Sequence, residues 1–270
     1  MIDAHRERLL PAIVVAFAIF GVIGITARYT ILHAVVEGYE DVSLSLLPSA
    51  SRAYAYGEGH FSASYPDMYN INRAEHLFNE VRRIDPQHPF VYHQLARIAF
   101  LKGDFTRAHA LIDAQIRYHG STTPSSYYVR GLIEGYMGRY EEAAKDYETY
   151  LESDPNNWAA LNDYAWVLLK VGRSADAIVA AERGLKYFPN NAWLLNSSAI
   201  ALYEIGELSQ AQGRAEAAVA VSEAVTEKDW LLAYPGNDPK VAKAGIVSLQ
   251  KASRDNMHTI LLALASSTLQ

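Results

Sequence analysis

Cysteine is absent from all 270 residues. Disulfides, thiolate zinc sites, iron–sulfur clusters and cysteine nucleophiles are thereby excluded together. Positive charge is also scarce: 24 Lys and Arg stand against 30 Asp and Glu, a net charge of −6. Phosphate recognition depends on clustered Lys and Arg, and no such run occurs, which argues against a nucleic-acid partner. The nine histidines are scattered. There is no His-Glu-x-x-His arrangement and no glycine-rich loop leading into Lys-Ser/Thr. His88 and His93 flank an expected helix start, and His5, His60 and His258 are isolated, with no partner at ligand spacing. The sequon Asn196-Ser197-Ser198 falls inside an expected packed helix and is discounted. The chain thus shows no cofactor site, no metal site and no catalytic residue, and reads as a binding protein rather than an enzyme.

What the chain does have begins at its start. From Leu9 to Ala27 no residue is charged, a stretch of 19 residues (LLPAIVVAFAIFGVIGITA). That length suits a helix crossing a bilayer, and it exceeds the apolar core of a typical signal peptide. A core helix would show a polar stripe, which is missing here. A transmembrane anchor is therefore expected over 9–28, behind a short flank at 1–8. Arg6 and Arg8 precede it and Arg28 closes it. This excess of one basic residue favours a cytoplasmic amino terminus and an extracytoplasmic remainder. Residues 29–48 stay helix-compatible and are expected to form a stalk.

From about Ile71 a period appears. Alanines stand at 74, 108, 143, 177 and 211, separated by 34, 35, 34 and 34 residues. Glycines keep the beat at Gly103, Gly138, Gly172 and Gly206, and small residues at Ala96, Gly131, Ala165 and Ala199. Prolines close units at Pro86, Pro155 and Pro189. Small residues let paired helices approach closely. A glycine at a helix end reaches the left-handed backbone without steric cost, and a proline stops the second helix. Each such helix pair cannot cover its own apolar face, so the units must stack around a shared core.

At these columns the sequence resembles the tetratricopeptide repeat family. Residues 124–157 and 158–191 match well, with GRYEEAAKDYETYLESDPNN as a near-consensus second helix. Residues 89–123 carry one extra residue, with Gly120 where the closing proline would stand, and in 192–225 Ser222-Glu223 replaces the closing Asp-Pro. Residues 49–88 look degenerate: Ile71–Pro86 resembles a second helix, and Gly57–Asn70 reads as a loop where a tight turn should be. The expected fold is all-α: a solenoid of helix–turn–helix units over 49–225, about four to five repeats, preceded by a single transmembrane helix. At 226–270 a capping region follows, in which Asp238-Pro239 opens a helix carrying Val241, Leu249, Ile260, Leu261 and Leu264. Capping is the favoured reading of this region, and a partner or dimer contact by the apolar finish Ile260–Leu264 is the alternative.

The resemblance implies a right-handed superhelix whose first helices line a concave groove. Carried onto this chain, the groove positions are His93, Arg97, Tyr128, Leu132, Tyr136, Asn162, Trp166, Lys170, Asn196, Ile200 and Tyr203. Asn162 and Asn196 occupy equivalent places one repeat apart, and an amide offers both donor and acceptor to an extended peptide. Trp166 supplies a flat anchor beside them. Some family members hold carboxyl-terminal peptides with Lys, Arg and Asn. Here His93, Arg97, Val129, Ala159 and Asp163 stand near those places, so that cluster is not reproduced. The expected function is a membrane-anchored scaffold that takes a protein or peptide segment in its groove. The alternatives are a structural subunit of a membrane or envelope complex with the groove permanently filled, and a receptor on an organelle surface.

Overall fold

A computed structural model describes residues 30–62, 66–234 and 236–267. The anchor expected at 9–28 lies outside these residues. Among the described residues no helix is long and apolar enough to cross a membrane, and all the regular structure is helical.

The first helix, α1, covers 30–46. The helices that follow are α2 (Ala50–His60), α3 (Ile71–Ile84), α4 (Val91–Leu101), α5 (Phe105–His119), α6 (Ser125–Tyr136) and α7 (Tyr140–Ser153). They continue as α8 (Trp158–Lys170), α9 (Ser174–Leu185), α10 (Ala192–Glu204), α11 (Leu208–Glu223), α12 (Glu227–Ala233) and α13 (Ala242–Ser267).

Helices α2 to α11 pack as five hairpins, α2 on α3 through to α10 on α11, and each hairpin leans on the next. The periodic residues explain why. Gly103, Gly138, Gly172 and Gly206 all take positive φ, between 74° and 84°, and turn the chain between the two helices of a hairpin. The asparagines after the closing prolines cap the next first helix: Asn157 accepts from the Ala160 N–H and Asn191 from the Leu194 N–H. The small residues are the points of closest approach. Ala96, Ala108, Ala143, Ala165, Ala177, Ala199 and Ala211 are fully buried. At Gly131 a Cβ would stand 3.1 Å from the Tyr147 ring, so the glycine makes room for the largest fully buried side chain in the core.

Two elements depart from the sequence expectation. Gly57 sits inside α2, not in a loop, because α2 must press against Phe78 of α3; a Cβ there would lie 2.7 Å from that ring. The segment after α11 forms the extra helix α12, opened by a capping box in which Thr226 and Asp229 satisfy each other's backbone N–H. Pro239–Val241 makes a 3-10 turn capped by Asp238, and α13 follows it. Helix α13 lies on α11 and α10, where Ile260 fills a site lined by Ala199, Leu202, Ala211 and Ala215.

Candidate functional site

The first helices α4, α6, α8 and α10 stand side by side, each touching the next but one in sequence. Their shared face is the inner surface of the stack, and side chains one helical turn apart line it. The four first helices place the eleven groove candidates in different environments, with His93 buried, Leu132 turned into the core and Tyr203 packed against α13.

At the α4 end the candidates are committed to the protein. His93 is buried; its backbone N–H donates to Gln115 Oε1 at 3.2 Å and its Nδ1 lies 3.1 Å from Ser126 Oγ. Burial, and then the positive charge of Arg97, push its pKa down to about 3, so the ring stays neutral. Arg97 donates to Gln94 Oε1 at 2.8 Å and lies 4.9 Å over the Phe61 ring. Desolvation lowers the pKa of this guanidinium, and the nearby Glu58 carboxylate opposes that.

Across the middle runs a polar chain spanning three repeats. Tyr128 Oη donates to Asp163 Oδ2 at 2.9 Å, Asn162 Nδ2 donates to Asp163 Oδ1 at 3.1 Å, and Ser197 Oγ donates to Asn162 Oδ1 at 2.9 Å. One repeat on, Asn256 of α13 donates to Asn196 Oδ1 at 2.9 Å. The Asn162 amide is thus engaged by the next repeat and the Asn196 amide by α13. Asp163 is half-buried at the floor of the face. Desolvation raises its pKa to about 6, against the lowering effect of the Tyr128 and Asn162 hydrogen bonds.

Over this floor passes the chain's own turn after α12. Trp193 Nε1 of α10 donates to Tyr234 Oη at 2.9 Å, and Tyr69 Oη, just before α3, donates to the Gly236 carbonyl at 2.8 Å. The Tyr234 ring packs on Trp230 at 4.9 Å and edge-on to Trp193 at 6.1 Å, and Trp193 in turn meets Trp158 at 5.4 Å. Gly236 has φ +91°, and the Arg97 guanidinium lies so close that a Cβ there would stand 2.6 Å from it. Two residues of backbone reach at most about 7 Å. That one short turn touches α10, α4 and the α2–α3 connection therefore means the stack curls tightly and is bridged across its inner face.

The other edge, at the carboxyl ends of the first helices, is open. Phe105, Phe100, Tyr136, Trp166 and Tyr140 form a ladder of rings 5.0 to 6.4 Å apart, and Lys170 Nζ stands 5.8 Å over Trp166. Tyr136 is 62% exposed, with Trp166 half-buried beside it. Leu132 packs into the core around Tyr147 and Val167. Ile200 is half-buried, and Tyr203 packs on the cluster around Ile260.

Sequence reasoning missed Trp158, Trp193, Tyr69 and Tyr234. A signal for two of them was present: Trp158 and Trp193 both fall in the first turn of successive first helices, α8 and α10. Nothing local marks Tyr69 or Tyr234, whose roles arise from a contact across 167 residues and a fold-back of the chain.

Among the described residues no three His, Asp or Glu side chains are placed to hold a metal. A charged cluster joins α5, α6 and α7: Arg130 donates to Asp146 and Asp113, and His109 meets Glu134 and Asp113, so three carboxylates share one guanidinium and one imidazole. The arrangement is that of a helical-repeat surface offering aromatic contact area.

Comparison with known proteins supports the same class. Residues 128–192 match the tetratricopeptide repeat family model, and the described helices form a tetratricopeptide-like solenoid. The solved structure of YrrB, described as a TPR protein with an unusual peptide-binding site, has 13% identity, a TM-score of 0.56, and covers 72% of this chain and 95% of its own. A MamA double mutant from RS-1 has 12% identity, a TM-score of 0.57, and covers 65% and 95%. MamA from AMB-1 has 19% identity, a TM-score of 0.54, and covers 63% and 99%. No curated protein matches the sequence.

Proposed function

We propose that this chain is a membrane-anchored scaffold that holds a segment of another protein on the open edge of its inner face and performs no chemistry of its own. The observation that carries this reading is the ring ladder Phe100–Tyr136–Trp166, part-exposed and topped by Lys170. Exposed aromatics on rigid helices give large contact area at little entropic cost, which is the chemistry of protein recognition. The Lys170 ammonium suits an acidic or carboxylate-bearing segment. YrrB, similar in fold and described with a peptide-binding site, supports a peptide-like ligand. Anchoring rests on the uncharged stretch 9–27 and places the repeats beside a membrane.

Crosslinked affinity purification from native membranes, with Tyr136→Ala/Trp166→Ala beside the unaltered protein, tests this reading. A defined partner that the double variant binds at least tenfold less supports the ladder as the site. An unchanged partner set refutes it. A second reading is a fixed structural subunit of a membrane complex, favoured by the chain's own turn already bridging the inner face. In that case the partner would not exchange with added free protein.

A further inference from the structure

Helix α1 carries two faces of opposite use. Its inner face is consumed by the repeats. Glu40 meets His60 Nε2 at 3.0 Å and the Arg73 guanidinium at 2.9 Å, Asp41 accepts from Arg73 at 2.8 Å, and Glu37 accepts from Asn70 Nδ2 at 3.3 Å. Leu44 packs on the core and Ser43 lies 3.2 Å from the Tyr56 hydroxyl. The outer face presents Leu32, Val35, Tyr39, Val42 and Leu46, each between 52% and 74% exposed. Their spacings are 3, 4, 3 and 4 residues. That is the alternation of the two seam positions of a heptad, sustained over two heptads.

We propose that this seam pairs with the same seam of a second copy, in parallel and in register, so that the protein is a dimer joined through α1. Three features select this occupant. The spacing averages 3.5 residues, the period that keeps a stripe facing one partner helix rather than spreading over a flat surface. The flanking positions Ile31, Val36, Gly38 and Ser45 carry no charge, so two identical helices meet there without repulsion, and Gly38 and Ser45 are exposed and small enough for close approach; Ser43 is turned to Tyr56 and Arg52 of α2. The three carboxylates of α1 are all tied to the chain's own Arg73, His60 or Asn70 on the other side.

A lipid surface is the poorer match. Residues 30–47 contain no Lys or Arg, whereas helices that lie on membranes have basic residues beside the apolar stripe. Two heptads are too few to fold an isolated helix pair, but α1 is already held in shape by α2 and α3, so dimerisation does not bear the cost of forming the helix.

The absence of cysteine makes the test direct. Single substitutions Val35→Cys and Val42→Cys are made in the full chain in detergent, with Val179→Cys, exposed on α9, as the control. After mild oxidation a parallel seam converts most of the Val35→Cys and Val42→Cys proteins from 30.0 kDa to twice that mass, and leaves Val179→Cys unchanged. In the unmodified background, Val35→Asp/Val42→Asp halves the mass seen by sedimentation while helical content stays constant. Crosslinking at Val35 no greater than at Val179 overturns the proposal. So does a preference for Val35→Cys to pair with Val42→Cys in a mixture, since that is the antiparallel arrangement. Protection of Val35→Cys from a water-soluble thiol reagent only when lipid is present, with no dimer, assigns the stripe to the membrane instead.

Discussion

Replacing Tyr234 with alanine should open the bridge across the inner face. The side chain accepts one hydrogen bond from Trp193 and packs its ring on Trp230 and Trp193. It remains 38% exposed, so each contribution belongs at the low end of its range. The hydrogen bond at the rim contributes about 0.5–1 kcal/mol, and each ring contact about 0.5–1 kcal/mol. Their sum, roughly 1.5–3 kcal/mol, corresponds to about a 10- to 150-fold rise in the population with the turn released. Backbone hydrogen exchange read by mass spectrometry resolves this directly. Peptides covering 227–241 should exchange faster by that factor while peptides from α6 to α9 keep their protection. Exchange of 227–241 within threefold of the unaltered protein would refute the reasoning, because the turn would then be held by α13 and not by the clasp on Trp193. If the turn competes with an incoming segment, the same variant binds partner more tightly, and Tyr69→Phe, which removes the bond to the Gly236 carbonyl, gives a smaller effect in the same direction.

Asp163 has a folded pKa of about 6, above the ordinary carboxylate value near 4. The raised value means that its contribution favours the fold below pH 4 and is lost as the pH rises through 6; Asp163→Asn should therefore flatten that part of the stability–pH curve, and an unchanged curve would contradict it. His93 acts oppositely: with its pKa lowered to about 3, it costs stability progressively as the pH falls below about 6.5, and His93→Gln should remove that slope in acid titrations. The Tyr147 hydroxyl is buried and finds no hydrogen-bond partner among the described residues. Tyr147→Phe should stabilise the protein by about 1 kcal/mol, a rise of roughly 2–4 °C in Tm by calorimetry; a fall in Tm would mean the hydroxyl is satisfied. Gly57→Ala should destabilise by about 1–3 kcal/mol, because the new methyl would meet the Phe78 ring at 2.7 Å, and a denaturation midpoint equal to the parent's would show that the ring yields freely.

The repeat is legible in the sequence alone. Gly138 must leave the helix with positive φ, Ala143 must sit where two helices touch, and Asn157 must cap the next helix. Each constraint acts within a few residues of chain, so each recurs with the period and can be counted. The sequence also marked out the first helices, and with the family resemblance the positions of Tyr136 and Trp166, but not Phe100, Phe105 and Tyr140, which complete the ladder. What only the tertiary structure decided is how much of that face remains free. Asn162 and Asn196 look like free amides in the sequence, but the packing of α10 on α8 brings Ser197 to the first and the docking of α13 brings Asn256 to the second. His93 looks like a surface imidazole, but the packing of α5 and α6 buries it and holds it neutral. The bridge from Tyr234 to Trp193 and from Gly236 to Tyr69 has no local signature. It depends on distances between parts of the chain 41 and 167 residues apart, which no periodic pattern records. The outer stripe of α1 lies between these cases. Its spacing is written in the sequence, but only the inner contacts of Glu40 and Leu44 show which face of that helix is left for a partner.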